Sequence, residues 1–265
     1  MKRIAIYCVN YHSYDYLNDY LASIDVAMLQ ATDAVSLSVI VADNTTPAQP
    51  VSYHPTHYSL HVIATGANLG YFGAVRQGML QVSPLDYDYI IVSNVDVLVG
   101  QDFFTTLSRY HVAPKTAWIA PAILSQSLHF DFNPQALHRY SYRKMRLLRL
   151  MFRFPFLLRL KQKLLHQYRN IQLSAAQTIY AGHGSFIILT NEYFLQCGII
   201  DYPLFLYGEE IWLAEMCRKH GLQVAYVPDI KVTDIGRVST GRYTSRQYCQ
   251  FNYLAIDYII RSFYP

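Results

Sequence analysis

Long apolar runs are missing from this chain: no stretch of about 18 or more residues is both apolar and free of charge, so no bilayer-spanning helix is expected. Cysteine is scarce and scattered. Cys8, Cys197, Cys217 and Cys249 contain no CxxC pair, which argues against a zinc ribbon or a disulfide framework and leaves reduced core thiols in a cytoplasmic protein. Met1-Lys2-Arg3 leads straight into the apolar IAIYCV without a small-residue cleavage site, so no secretory leader is expected. Internal repeats and low-complexity tracts are absent, as is any Ser-His or Cys-His signature of a protein nucleophile. Acid is lacking in one region altogether. Between Phe132 and Asn191 there is no Asp or Glu, while ten of the 22 Lys and Arg lie from Arg139 to Arg169. The net charge of +4 thus averages a strongly basic insert with a remainder of 12 basic and 18 acidic residues, a balance of −6.

What is present is core-forming material, 52% apolar residues in a chain of 265, enough for one large α/β domain or two small ones. Apolar spacing predicts strands at 4–9, 37–42, 61–65, 89–93 and 118–123, then at 180–190 and 224–227. Helices are predicted at 14–28, 70–82, 102–109 and 209–220, with a closing helix within 241–265. Strands that alternate with helices imply βαβ units and a parallel sheet. We read a single domain: a nucleotide-binding half at 1–125, a basic amphipathic helical insert at 132–170, and an acceptor and catalytic half at 175–240.

The segment YIIVSNVDV (89–97) is the most informative. A buried parallel strand reads as continuous apolar sequence, and ligands of such sheets sit beyond the carboxyl ends of the strands. This strand ends in Asn94-Val95-Asp96, where a carboxylate can hold a hard cation and the cation a nucleotide diphosphate. Strand one ends on the same edge in Val9-Asn10-Tyr11-His12 and strand two in Asp43-Asn44. There an aromatic ring could stack on a base, and a carboxylate could accept a base N–H or a ribose hydroxyl; a plain turn is the alternative. GANLGYFG (66–73) is not the dinucleotide fingerprint, because Asn68 occupies its middle-glycine position. It still offers flexible backbone N–H groups at a helix N-terminus, with Arg76 one turn further on, and helix capping is the alternative. Glu209 and Glu210 open a later helix, where its dipole favours them and where one could act as a general base. Asp234 closes VAYVPDIKVTD as a second candidate metal ligand.

Taken in order, these pieces resemble the GT-A fold glycosyltransferases of family 2, and within them the bacterial rhamnosyltransferase-like group, from residue 4 to about 240. IYCVNYHS resembles the first-strand motif, VADN the second, GANLGYFGAVRQG the asparagine-glycine loop, and SNVDV the metal motif in its Asn-x-Asp form. GSFIILTNEYFLQCGIIDYPLFLYGEEIWLAEMCRKHGLQVAYVP resembles the acceptor-side and catalytic block, and VTDIGRVST the segment that usually carries a metal-binding His. The chain departs from the family in having His12 and Arg76 for asparagines, Asp234 for that His, and Glu210 for an Asp.

The resemblance implies a Rossmann-like, mostly parallel central sheet flanked by helices. Tyr11 and Asp43, with Val9 and Asn10, would hold the base; Asn68, Gly70, Gly73 and Arg76 would line the ribose-diphosphate path, with Asn94 and Val95 near the sugar or ribose. Asp96 and Asp234 would bind Mg2+ or Mn2+, and Glu210 would be the base, with Glu209 beside it. The implied reaction is inverting transfer of a sugar, rhamnose first, from a dTDP- or UDP-sugar to a lipid-linked acceptor in surface polysaccharide synthesis. A sugar nucleotidyltransferase would instead show a glycine-rich loop with a Lys after strand one, where this chain has NYHSYDY. A non-catalytic sugar- or partner-binding module is the other rival.

In the insert, Arg139, Arg143, Arg146, Arg149 and Arg153 recur at spacings of four, three, three and four, one stripe along a helix that Pro155 ends. A second amphipathic piece at 156–168 carries Arg159 and Lys163. A basic helix with apolar residues on its other faces predicts contact with an anionic membrane surface, at the inner face of the cell membrane. A packed hairpin or a homo-oligomer contact is the alternative. No nucleic-acid recognition motif accompanies the charge.

Overall fold

β1 (Lys2–Asn10) distributes its side chains between two cores, as a strand flanked by helices on both faces must. Ala5 and Tyr7 join one apolar cluster, and Ile4, Ile6 and Cys8 the other. That two-sided burial is why the strand reads as unbroken apolar sequence. In this computed structural model, which describes residues 1–156, 173–236 and 244–264, β1 lies parallel to both β2 (Val35–Asp43) and β4 (Tyr89–Asn94). β3 (Ser59–Ala64) extends the sheet outward from β2, again parallel. α1 (Tyr14–Leu29) and α3 (Phe103–Arg109) cover the face that holds Ile4 and Ile6. α2 (Tyr71–Gln81) covers the other, with Phe72, Val75 and Met79 against Tyr7 and Ile40.

Beyond β4 the sheet changes direction. β8 (Phe186–Thr190) runs antiparallel to β4 and to β6 (Thr116–Ser125), and β6 pairs in parallel with β9 (Gln223–Asp234). The short β5 (Val97–Val99) and β7 (Gln177–Ile179) both pair antiparallel with β9. The nine strands follow the order β3-β2-β1-β4-β8-β6-β9-β5, with β7 beside β9. α5 (Asn191–Cys197), α6 (Glu209–Lys219) and α7 (Ser245–Phe263) pack on the same side as α2. The α/β class and the parallel run expected for the first half of the chain hold.

Several expectations change, and the last strand, predicted at 224–227, runs on to Asp234 as β9. The strand predicted at 180–190 begins only at Phe186. A side chain at Gly182 would come within 2.8 Å of both Trp118 and Ala120, so this stretch packs as a tight loop against β6. β5, β7 and α5 are too short to carry a readable period. The arginine stripe loses its first member: the helix, α4 (Tyr142–Arg153), is capped by Ser141 accepting from the Lys144 N–H at 3.2 Å, so Arg139 precedes it. Arg139 instead binds Glu215 at 2.6 Å and the Phe263 carbonyl at 2.7 Å. Most of the second amphipathic piece, with Arg159 and Lys163, and Arg169 beyond it, lies outside the described residues. Among the described residues no helix is long and apolar enough to cross a membrane, and all four cysteines are free thiols.

Candidate active site

The carboxyl ends of β1, β2 and β4 open onto a cavity of about 520 Å³, and the start of α6, the end of β9 and the first turn of α7 close its far side. Ten of the residues singled out from the sequence line it: Val9, Tyr11, Asn68, Gly70, Asn94, Val95, Asp96, Glu209, Glu210 and Asp234.

The side of the cavity at the end of β2 is built by hydrogen bonds from buried asparagine. Asn44 Nδ2 donates to the Gly70 carbonyl at 2.9 Å and to Asn68 Oδ1 at 3.2 Å, while its Oδ1 accepts from Thr65 Oγ1 at 3.0 Å. One side chain thus staples the loop before α2 to the end of β2. Gly70 sits at φ +77°, and a Cβ there would lie within 1.8 Å of the Phe205 carbonyl oxygen, so no other residue fits.

Four expected donor residues are not among the lining. Asp43 is fully buried, its carboxylate accepting from Asn10 Nδ2 (3.0 Å), the Thr45 N–H (3.0 Å) and the Tyr14 hydroxyl (2.6 Å). Asn10 and Asp43 therefore lock two strand ends together rather than face the cavity. Gly73 lies inside α2, its Cβ direction toward Leu69. Arg76 turns away to pair with Asp201 at 2.9 Å, because its place one turn into α2 carries it past the cavity mouth.

Asp96 and Asp234 come together through the sheet. Val97 pairs with Asp234 across β5 and β9, and the Ile235 N–H donates to the Asp96 carbonyl at 3.1 Å. Both residues line the cavity and are almost entirely buried. Two hard oxygen donors on rigid strands suit a divalent cation that takes its remaining ligands from water and a diphosphate. Among the described residues no group of three or more His, Cys, Asp or Glu gathers, so the pair is a partial ligand set.

Glu209 and Glu210 follow two consecutive left-handed residues, Tyr207 (φ 70°) and Gly208 (φ 84°). This strained turn is held by the Tyr202 hydroxyl, which donates to the Tyr207 carbonyl at 2.6 Å, and by Glu209 Oε1, which accepts from the Tyr207 N–H at 3.0 Å. The Glu210 carboxylate abuts Gly184, where a Cβ would lie 2.7 Å from Oε1. Gly184 is itself fixed by the Tyr71 hydroxyl donating to its carbonyl at 2.9 Å. Burial pushes both carboxyls above the usual carboxylate range, and the charge of Glu210 raises Glu209 further. Among the described residues neither makes an ion pair. Carboxylates so raised are effective proton acceptors near neutral pH.

Sequence reasoning missed Ser13, Asn44, Tyr71, Phe132, His183, Gly184, Ser185, Leu206, Tyr207 and Tyr248 as lining residues. The pair of glycines in AGHGS was a signal for the loop that brings His183 in. Its ring stacks on Phe132 at 5.0 Å, with Nδ1 2.9 Å from Ser185 Oγ.

No protein-family model matches the chain. It is 26% identical over 252 residues to N-acetylglucosaminyl-diphospho-decaprenol L-rhamnosyltransferase from two strains of Mycobacterium tuberculosis, covering 90% of this chain and 78% of that protein. Among solved structures, GalNAc-T7 with UDP, GalNAc and Mn2+ superposes with a TM-score of 0.61 at 14% identity, over 98% of this chain and 48% of that one. The mannosyltransferase PcManGT from Pyrobaculum calidifontis, in complex with GDP-Man and Mn2+, gives 0.52 at 10% identity, over 90% and 58%.

Proposed function

We propose that the chain is a rhamnosyltransferase-like glycosyltransferase of the GT-A fold, and that it transfers a sugar from a nucleoside-diphosphate donor to a lipid-linked glycan acceptor, with inversion at the anomeric carbon. Rhamnose from a dTDP-sugar is the first donor to test and UDP-sugars the second. The observation that carries this reading is the shared cavity: two aspartates brought together through the sheet, and two raised carboxylates at the helix start that closes its far side.

Asp96 and Asp234 would hold Mg2+ or Mn2+, which when bound neutralises charge on the leaving diphosphate. Tyr11 offers an aromatic face to the base, and the backbone of Asn68–Gly70 borders the ribose-diphosphate path. Glu210, partly exposed at the cavity wall, takes the proton from the acceptor hydroxyl. Glu209, its carboxylate bonded to the Tyr207 N–H, holds the turn that aims Glu210. A single in-line displacement needs one base and no protein nucleophile. The acceptor is a lipid-linked glycan presented at an anionic membrane surface, which the basic insert meets.

Calorimetric titration with dTDP, UDP, GDP and CDP, each with Mn2+ and with EDTA, tests the donor site. Metal-dependent binding of one nucleotide is the expected result. Absence of binding by all four sinks the reading.

A further inference from the structure

α4 packs along α7, and between them runs a groove of about 620 Å³ that lies outside the cavity described above. Its walls carry five arginines, Arg143, Arg146, Arg149 and Arg153 from α4 and Arg261 from α7, against one aspartate, Asp257. Asp257 accepts from Arg149 at 2.9 Å and from Arg261 at 2.6 Å, which ties those two guanidinium groups to α7. Among the described residues Arg143, Arg146 and Arg153 make no ion pair; Arg146 and Arg153 lie over the rings of Tyr142 and Tyr253, each at 5.6 Å. The groove therefore keeps an uncompensated charge of about +4. It is also apolar. Leu147 and Leu150 line it half-exposed, and the exposed rings of Phe154 and Phe156 pack together just beyond it.

We propose that this groove is the seat of a lipid phosphate: it binds the phosphate or diphosphate headgroup of a lipid at a membrane surface, and so sets the lipid-linked acceptor against the catalytic cavity. A soluble polyanion would be served by the arginines alone. Leucines set among them suit an amphiphile whose charge meets the guanidinium groups while its first apolar carbons meet Leu147 and Leu150. The position of the groove supports its use. Tyr248, on the first turn of α7, lines the catalytic cavity and packs against Phe152 at 5.9 Å; Phe152 is the neighbour of Arg153. Tyr253 of the groove is five residues further along the same helix, about 7.5 Å of rise. Cavity and groove thus both draw lining residues from α7, and Tyr248 touches α4 through Phe152. The link to the acceptor rests on the glycosyltransferase reading; the binding of lipid phosphate does not.

The test is co-sedimentation of the full chain with vesicles of phosphatidylcholine alone and of phosphatidylcholine with phosphatidylglycerol, beside calorimetric binding of dTDP with Mn2+. The wild type should partition onto the anionic vesicles only. The exposed triple variant Arg143→Gln, Arg146→Gln, Arg153→Gln should partition about a hundredfold more weakly, with dTDP binding unchanged. Leu147→Ser with Leu150→Ser should also weaken partition, by about tenfold. Failure of the wild type to partition, or equal partition by the triple variant, overturns the proposal. Undiminished partition by the leucine variant, together with vesicle-free binding of inorganic pyrophosphate, also overturns it and assigns the groove to a soluble anion. If dTDP fails to bind to any form while vesicle partition behaves as expected, the glycosyltransferase reading falls and the groove's assignment to lipid phosphate stands.

Discussion

Three glutamates stand on one helix, α6, and meet opposite environments. Glu215 is fully buried, and burial by itself would raise its carboxyl, but Arg139 at 2.6 Å, the Tyr180 hydroxyl at 2.7 Å and Arg218 at 2.8 Å more than offset that and hold it below the usual range. Glu209 is nearly as buried, at 6% exposure, and among the described residues neither it nor Glu210 pairs with a cation, so both stay raised. Residue type and helix are shared by all three. The placement of cations decides which carboxylate is locked in charge and which is left ready to take a proton. The C-terminal half of α6 serves the fold, and its first turn lines the cavity.

The sharpest way to test this contrast is to neutralise each side. Glu210→Gln keeps size and hydrogen-bonding shape but cannot accept a proton. Transfer should fall by about 10²–10⁴-fold with metal-dependent nucleotide binding retained, read by single-turnover assay and calorimetry. If Glu209→Gln abolishes turnover and Glu210→Gln does not, the base has been assigned to the wrong neighbour.

On the other side, Glu215→Ala leaves the partly exposed Arg139 and the buried Tyr180 hydroxyl without their acceptor. Losing charge-assisted hydrogen bonds of this kind costs about 1.5–3 kcal/mol, read as loss of stability in denaturant. The pH dependence carries the same sign. The folded carboxyl lies below its ordinary value of about 4.3, so its stabilisation is present above that pH and is lost as pH falls through the folded value. Wild type should lose stability on acidification more steeply than Glu215→Gln. Matching acid limbs would remove Glu215 from the network's role in stability.

A smaller effect should come from Gly184→Ala, which adds a methyl 2.7 Å from Glu210 Oε1 without touching a charge. The carboxylate must shift, and a displacement approaching 1 Å at a reacting group costs up to about 10²-fold. We expect turnover to fall about ten- to a hundredfold with thermal stability nearly unchanged. A fully active variant would mean that Gly184 does not position the base.

This contrast also marks what was legible in the residues themselves. The strands and the cavity edge were, because buried parallel strands write long apolar runs and their ends carry the chemistry: YIIVSNVDV led directly to Asp96. Asp234 and the Glu209-Glu210 pair were legible from their order along the chain. Side-chain direction was not. Asp43 and Arg76 have the right chemistry at plausible places, yet hydrogen bonds to Asn10 and Tyr14, and an ion pair to Asp201, settle where they point. Arg139 fitted the spacing of a helix stripe, but its partner Glu215 is 76 residues away, a distance no local period can reveal.

The mildest prediction reverses the usual sign of a mutation. Glu209 sits in the fold with its carboxyl above the ordinary value, so the fold prefers its neutral form. As pH rises above about 4.3 the unfolded chain ionises first, and wild type loses stability until the folded carboxyl ionises in turn. Glu209→Gln still accepts from the Tyr207 N–H but carries no charge to bury or to repel Glu210. It should therefore be more stable than wild type by about 1–2 kcal/mol at neutral pH, and no more stable at pH values below the ordinary carboxylate range. Thermal unfolding of both forms across pH reads this directly. A variant less stable at every pH would mean that Glu209 is held by contacts favouring its charge, and the division of α6 into a charge-locked and a charge-poised end would collapse.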